Sequence, residues 1–385
     1  MPDHKTKSSA SCETKRSLRP AEFRNGIYCQ RGGISYIDLS RNDYLHLSQH
    51  PDLIDAARNM LEQSGMGSTG SRLLSGDYTQ FHDLERDVAA FCRHESALLF
   101  NSGYQCNLSL ISTLFGPTDI VFADKHIHAS LIDACRLAGV TLKRFSHLDL
   151  SHLESRLSTY RSLYQRALIL SESLFSMDGD TADIPGLIAL KTRFDCQLLI
   201  DEAHAFGVLG DSGRGLAASY SGDIDYISAT FGKALGSVGA FVACSESVRK
   251  QLISSARGFI YSTALPLPVI AWNHAALRLL PDLDARRSHL FVLADWLRSH
   301  CQRAGFTRLG NSPIIPLIFD SPDACKGVVA DLANIGFHAS AIMPPTVPAN
   351  ACRIRLSLSS GITQEILQPL TNYLSTLSSS KYSPR

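Results

Sequence analysis

Leu198-Leu199-Ile200-Asp201-Glu202-Ala203-His204 and Asp225-Tyr226-Ile227-Ser228-Ala229-Thr230-Phe231-Gly232-Lys233-Ala234-Leu235-Gly236 are two apolar runs, each ending in polar chemistry. A short apolar run that breaks into polar and glycine residues reads as a buried strand passing into a loop. Together the two segments supply an acid, a histidine, a hydroxyl and a lysine. Pyridoxal phosphate (PLP) chemistry needs those four groups. Lys233 would form the Schiff base, and Asp201 would hold the pyridine nitrogen protonated. His204 would bind the ring hydroxyl and Thr230 the phosphate.

Asp-Glu-Ala-His after an apolar strand also marks the second nucleotide box of a helicase. That assignment requires an upstream phosphate loop, G-x-x-x-x-G-K-[ST]. The only Gly-Lys here, Gly232-Lys233, precedes Ala234 and lies downstream. A single lysine after a strand is ordinarily a solvated surface group. Thr230, the two glycines and the upstream Asp-x-x-His box reverse that expectation for Lys233.

The surrounding chain is that of an ordinary globular enzyme. With 385 residues it can hold one large domain or two. Hydrophobic residues make up 44%, enough for a large core, and the net charge of +1 gives no global field to attract nucleic acid or an anionic membrane. The ten cysteines are scattered without a CxxC pair. That argues for reduced thiols in a cytoplasmic protein and against a disulfide scaffold or a zinc site. The N-terminus has no apolar signal core, and no stretch approaches the length of a membrane span.

Strand-like runs recur at Ala97–Phe100, Ile120–Ala123, Ala167–Leu170, Gln197–Ile200, Tyr226–Ala229 and Ala240–Ala243. Amphipathic helical patterns such as Phe81–Phe91 and Ile184–Thr192 lie between several of them. This alternation predicts an α/β fold, a mostly parallel sheet covered by helices, with ligands bound where loops leave the carboxyl ends of strands. After Ala264-Leu265-Pro266-Leu267-Pro268 the pattern changes. A long helical stretch runs from Val269 to about Gln302, and Ile314–Phe319 and Cys352–Leu358 read as strands of a smaller C-terminal α/β domain. The expected division is an N-terminal segment over 1–40, a large cofactor-binding domain over 41–275 and a small domain over 276–385. The first 16 residues and the Ser-rich tail from Ser378 read as loosely ordered.

Other segments carry weaker signals. Gly65-Met66-Gly67-Ser68-Thr69-Gly70 matches G-x-G-x-x-G, but a helical pattern precedes it and a loop follows. It therefore reads as a glycine turn where backbone passes close to another group, not as a dinucleotide site. Asn101-Ser102-Gly103-Tyr104-Gln105 sits between a strand and a helix, where free N–H groups can meet an anion. With a phosphate cofactor implied elsewhere, Gly103 and Tyr104 become its cradle. His126 and His128 lie two apart, and no carboxylate or cysteine cluster in the sequence completes a metal site around them. Asn42, Asp43 and Tyr44 read as a turn. Arg353 and Arg355 alternate with Ile354 and Leu356. In a half-buried strand one arginine would face inward, and a substrate carboxylate would fit its fork.

With these residues assembled, the chain from about Leu18 to Leu358 resembles the α-oxoamine synthases, PLP enzymes of the aspartate-aminotransferase fold (fold type I). The matching segments are Asn42-Asp43-Tyr44-Leu45, Gly70-Ser71-Arg72, His128-Ala129-Ser130, Phe175-Ser176-Met177-Asp178-Gly179-Asp180, Asp201-Glu202-Ala203-His204, Thr230-Phe231-Gly232-Lys233, Tyr261-Ser262-Thr263 and Pro344-Pro345-Thr346-Val347-Pro348. The last is similar to the biotin-forming branch, which joins L-alanine to a pimeloyl thioester carried by CoA or a carrier protein. The resemblance implies that His128 stacks on the cofactor ring and that Ser176 also touches the cofactor. Ser262 and Thr263 would reach the phosphate of a neighbouring subunit, giving a homodimer with shared sites. Asn42 and Arg355 would orient the amino-acid carboxylate, Arg19 would contact the acyl substrate, and Thr346 would line its far end. Lys233, freed by the incoming amino acid, would then act as general base in a decarboxylating condensation.

Three positions depart from that branch. Met343 stands where an arginine usually precedes Pro-Pro-Thr-Val-Pro, His46 where glycine usually follows Asn-Asp-Tyr-Leu, and Phe206 where a smaller residue is usual. The rival readings are a synthase for glycine and acetyl-CoA, a synthase for serine and a long acyl chain, a plain aminotransferase, and a PLP-binding partner without activity. The last would be expected to lose the lysine, and Lys233 is present.

Overall fold

The computed structural model describes residues 18–344 and 346–377; the two terminal stretches read as loosely ordered, and Pro345, lie outside them. An N-terminal meander comes first: β1 (Phe23–Asn25), β2 (Tyr28–Arg31) and β3 (Ile34–Asp38). Gly32 and Gly33, both at positive φ, form the two-residue turn between β2 and β3. These strands are short and half exposed, so they carry little of the alternation by which a strand is read.

The central sheet holds β4 (Ser96–Phe100), β5 (Ile120–Asp124), β6 (Thr141–Phe145), β7 (Ala167–Glu172), β8 (Gln197–Asp201), β9 (Tyr226–Thr230) and β10 (Ala240–Cys244). Their order is β4-β10-β9-β8-β7-β5-β6, and only β10 runs against its neighbours. Alternate side chains feed two cores. Ala97, Leu99, Ile120 and Phe122 pack on one face, and Leu98, Phe100, Val121 and Ala123 on the other. Helices therefore cover both faces, which is why these strands are continuously apolar and not alternating.

The helical stretch after Pro268 is broken. Helices Leu267–Leu279 and Asp284–Arg303 are joined by a 3₁₀ turn over Leu280–Leu283. Pro281 has no N–H to give an α-helical ladder, so the turn tightens there. Beyond it, β11 (Ile314–Phe319), β13 (Ala341–Ile342) and β14 (Cys352–Ser357) form a small sheet with β14 in the centre. β12 (Phe337–His338) instead pairs with β3, joining the N-terminal meander to the C-terminal part.

The central position of β14 changes the reading of its arginines. Arg353 and Arg355 share one face, and both are buried, not one of the two.

Two of the departures have structural settings. His46 adopts φ 55°, the left-handed region that favours glycine. Its imidazole fills space beside two glycines, since a Cβ on Gly361 would lie 2.8 Å from Nδ1 and one on Gly26 3.2 Å from Cε1. Phe206 is buried edge-on between Phe91 and Phe241, in the core rather than at the site. The glycine segment likewise has a packing reason, because a Cβ on Gly70 would lie 2.2 Å from the Ser75 hydroxyl.

Candidate active site

The carboxyl ends of β5, β7, β8 and β9, with the loop after β4, surround a cavity of about 180 Å³. Gly103, Tyr104, Asn107, His128, Glu172, Asp201, His204, Thr230 and Lys233 are among the residues lining it. Parallel pairing places Glu172 beside Asp201 on the adjacent strand. Residues far apart in sequence thus meet for one topological reason, which is that every parallel strand delivers its loop to the same edge.

Lys233 is desolvated. Burial lowers its pKa to about 8, against the attraction of Asp201 and Glu172, with Arg355 adding to the depression. A substantial fraction is therefore a neutral amine near physiological pH. Asp201 accepts from the Ala203 N–H at 2.9 Å and from Asn107 Nδ2 at 2.9 Å. Asn107 also donates to Ser130 Oγ at 3.0 Å, and that hydroxyl meets His128 Nδ1 at 2.7 Å. The carboxylate and the imidazole are thus braced through one amide. Burial keeps the His128 pKa low. Burial also pushes Glu172 well above the usual carboxylate range, and the neighbouring Asp201 charge adds to this.

His204 is held neutral by burial and by the positive charges of Lys233 and Arg355. Its Nδ1 lies 2.8 Å from the Tyr44 hydroxyl. With Tyr44 as donor, the ring proton sits on Nε2. Tyr44 in turn accepts from Arg355 at 3.1 Å, and Arg355 donates to Asn42 Oδ1 at 3.0 Å, to Ser357 Oγ and to the Ser176 carbonyl. Arg353 pairs with Asp178. Arg355, only 8% exposed, enters none of the ion pairs among the described residues. A buried cation without a counter-ion is costly.

Ser102 caps the helix Gly103–Leu114, accepting from the Gln105 N–H at 3.2 Å. The Gly103 and Tyr104 N–H groups precede the first bonded ones, and both residues line the cavity. Thr230 lines the same wall, with its hydroxyl proton on the Gly239 carbonyl at 2.8 Å; a phosphate role requires that proton to turn.

The remaining expected residues lie elsewhere. Ser262 accepts from Gln105 Nε2 at 2.7 Å, and the Thr263 carbonyl accepts from Asn101; neither lines the Lys233 cavity. Arg19 and Thr346 line a separate, larger groove together with Met343. Asn107, Ser130, Glu172 and Ser228 were not singled out from the sequence. Glu172 had a signal, because reading the Ala167 strand two residues further puts it at a carboxyl end. Tyr44 reads as a turn residue, and its partner lies 160 positions away.

The sequence supplied His126 without carboxylates, but the fold brings His126, His147 and Asp178 to within 4.8 Å of one another. Both ring nitrogens of His147 are already engaged, by Asp124 at 2.8 Å and Asp180 at 3.0 Å. Burial disfavours its charge, but these bonds prevail and raise its pKa to about 9. The resulting stability is full below the unfolded value of about 6.5 and is lost as pH rises through about 9. The drop in Tm between pH 6.5 and 9.5 should shrink in His147→Gln, and an identical drop in the variant would dismiss this contribution.

Comparisons with known proteins place the site in context. The family model for aminotransferase class I and II matches residues 34–374. An 8-amino-7-oxononanoate synthase from Gluconacetobacter diazotrophicus is 42% identical, covering 94% of this chain and 92% of that protein. One from Chlorobaculum parvum is 37% identical, covering 94% and 95%. Among solved structures, Sphingomonas wittichii serine palmitoyltransferase superposes with a TM-score of 0.88 at 29% identity over 92% of this chain and 90% of that one. A variant of the S. paucimobilis enzyme with bound PLP-myriocin gives 0.89 at 27%, over 94% and 92%. Francisella tularensis 8-amino-7-oxononanoate synthase gives 0.75 at 29%, over 89% and 98%. The chain belongs to the class I and II aminotransferase family of fold type I and, within it, to the α-oxoamine synthases.

Proposed function

We propose that the chain condenses L-alanine with a pimeloyl thioester to give 8-amino-7-oxononanoate, carbon dioxide and the free thiol, a step of biotin biosynthesis. The observation that carries this is Arg355, a buried guanidinium without a carboxylate, coupled through Tyr44 to a cavity containing a desolvated lysine. It calls for an amino-acid carboxylate within reach of Lys233. The acyl partner rests on the likeness to the synthases.

The residues present fit PLP. Buried polar atoms in the cavity wall, Glu172 Oε1, Asn107 Oδ1 and Ser228 Oγ, have no partner, and a helix N-terminus faces the same space. When bound, PLP supplies the electron sink that accepts negative charge from the amino acid's α-carbon. Lys233 would hold it covalently and later take the α-proton. Asp201 would hold the ring nitrogen, His204 the ring hydroxyl and His128 the ring face. Gly103, Tyr104 and Thr230 would hold the phosphate, with Ser176 a further contact. Asn42 and Arg355 would orient the amino acid, and Arg19 and Thr346 the acyl chain. The domains would divide at about 41 and 276, as read from the sequence.

A homodimer is supported by an exposed apolar face. Met66, Leu74 and Tyr261 are 60%, 85% and 72% exposed, on segments tied together by the Ser71–Thr263 bridge. Covering this face would bring Ser262 and Thr263 toward the partner's site. Cytoplasmic location is supported by nine described cysteines, all of them buried, and no described helix is long and apolar enough to cross a membrane.

The test is thiol release by PLP-loaded protein. L-alanine with pimeloyl-CoA or the pimeloyl carrier protein should release thiol. Release only with glycine and acetyl-CoA, or with serine and a long acyl-CoA, would move the chain to another α-oxoamine synthase. Met343→Arg should lower KM for pimeloyl-CoA, because it adds a cation to the groove that already holds Arg19; an unchanged KM would detach position 343 from the acyl chain.

A further inference from the structure

Beyond the cavity lies the groove of about 940 Å³ that holds Arg19, Met343 and Thr346, and its other basic residues have been given no role above. One wall is the helix Pro322–Asn334, which presents Lys326, Val329, Ala330 and Ala333. Opposite are Arg31 at the end of β2 and the stretch from His338 through Ile342. The groove adjoins the site's scaffold, since β13 pairs with β14, the strand that carries Arg355.

Its charge is one-sided. Arg19, Arg31 and Lys326 line it together with His338, and among the described residues lining it none is acidic. Nor are these cations well neutralised from outside. Arg31 spends one nitrogen on the Arg19 carbonyl and also meets the Cys29 thiol, and its Nε is buried with no oxygen or nitrogen acceptor. Lys326 has only Asp323, at 3.6 Å, with both groups largely exposed, a pair of little worth. Burial lowers the His338 pKa; Asp38 opposes this, and Arg31, Arg19 and Arg24 add to it. The Asp38 carboxylate already accepts from the Ser40 N–H at 3.0 Å. A half-buried guanidinium in no ion pair among the described residues, set in an apolar trough of one sign, fits an amphiphile with an anionic end.

We propose that Arg31, with Lys326 and His338, reads an anion of the acyl thioester while the apolar floor of the groove takes its methylene chain. This rests on the condensation reading above. The anion is either the terminal carboxylate of a dicarboxylic acyl group or the phosphates of the thiol carrier. In this chain Met343 adds only apolar surface to the groove, so the anion is met by Arg31, Lys326 and His338 instead.

The experiment compares wild type, Arg31→Gln and Lys326→Gln with three donors: pimeloyl-CoA, heptanoyl-CoA and pimeloyl-N-acetylcysteamine. For a donor that carries the anion, KM should rise about tenfold or more per lost charge-assisted bond, with kcat and the L-alanine KM held within about twofold. A rise for both pimeloyl donors but not heptanoyl-CoA assigns the carboxylate. A rise for both CoA thioesters but not the cysteamine donor assigns the phosphates. An unchanged KM for all three donors in both variants overturns the proposal. Calorimetric binding of pimeloyl-CoA without amino acid separates this failure from failure of the reaction assignment. If wild type binds the thioester but releases no thiol, the groove still stands on a weaker Kd in Arg31→Gln and falls on an equal one. If wild type does not bind it, the proposal falls as well.

Discussion

Lys233→Ala is expected to lower amino-acid-dependent thiol release by at least about a thousandfold while leaving the fold and non-covalent PLP binding in place. General-base catalysis alone contributes up to about ten-thousandfold, and this residue would also provide the covalent anchor. The side chain lines the cavity and belongs to neither hydrophobic core, so the loss should not reflect unfolding, and an unchanged Tm would show this. The pH dependence follows from the same burial. The Lys233 pKa is lowered to about 8. Covalent attachment of PLP to the free protein should therefore accelerate as pH rises toward 8, and level off above it instead of continuing toward the ordinary lysine value of about 10.4. Retention of activity within tenfold would remove Lys233 from the chemistry, whereas an attachment rate still rising at pH 10 would contradict only the desolvation.

Arg355→Leu is expected to raise the L-alanine KM by roughly thirtyfold to a few thousandfold, the range for losing one partner of a buried charge-assisted contact. Arg353, two residues away on the same face, should behave differently. It already pairs with Asp178, so Arg353→Leu strands a part-buried carboxylate and should lower Tm by several degrees with a smaller effect on KM. The reverse pattern would transfer the carboxylate-binding role to Arg353. Tyr44→Phe offers an intermediate case. It keeps the ring but frees His204 Nδ1 and one Arg355 contact, so a moderate rise in KM should accompany it.

Much of this site was legible because its residues sit at the ends of strands that are apolar on both faces. Asp201, His204, Thr230 and Lys233 each follow such a run, and strand ends are short-range features. Glu172 was missed because a buried glutamate inside the strand's last pair does not look like strand sequence. Tyr44 and Asn107 were not legible as site residues, since each matters through a partner about a hundred positions or more away. The break at Pro281 was visible as a proline, but the helical pattern on both sides outweighed it.

The sequence by itself determined the α/β class, six of the seven central strands (all but β6) and the residues able to carry PLP chemistry, because periodicity and strand-end composition are local properties. Only the tertiary structure decided which arginine on β14 is paired with a carboxylate and which is not, among the described residues. It also determined that His147 is held by two aspartates and that Arg31, Lys326 and His338 face one groove. Charge compensation and desolvation depend on what lies across space, and no spacing along the chain encodes that.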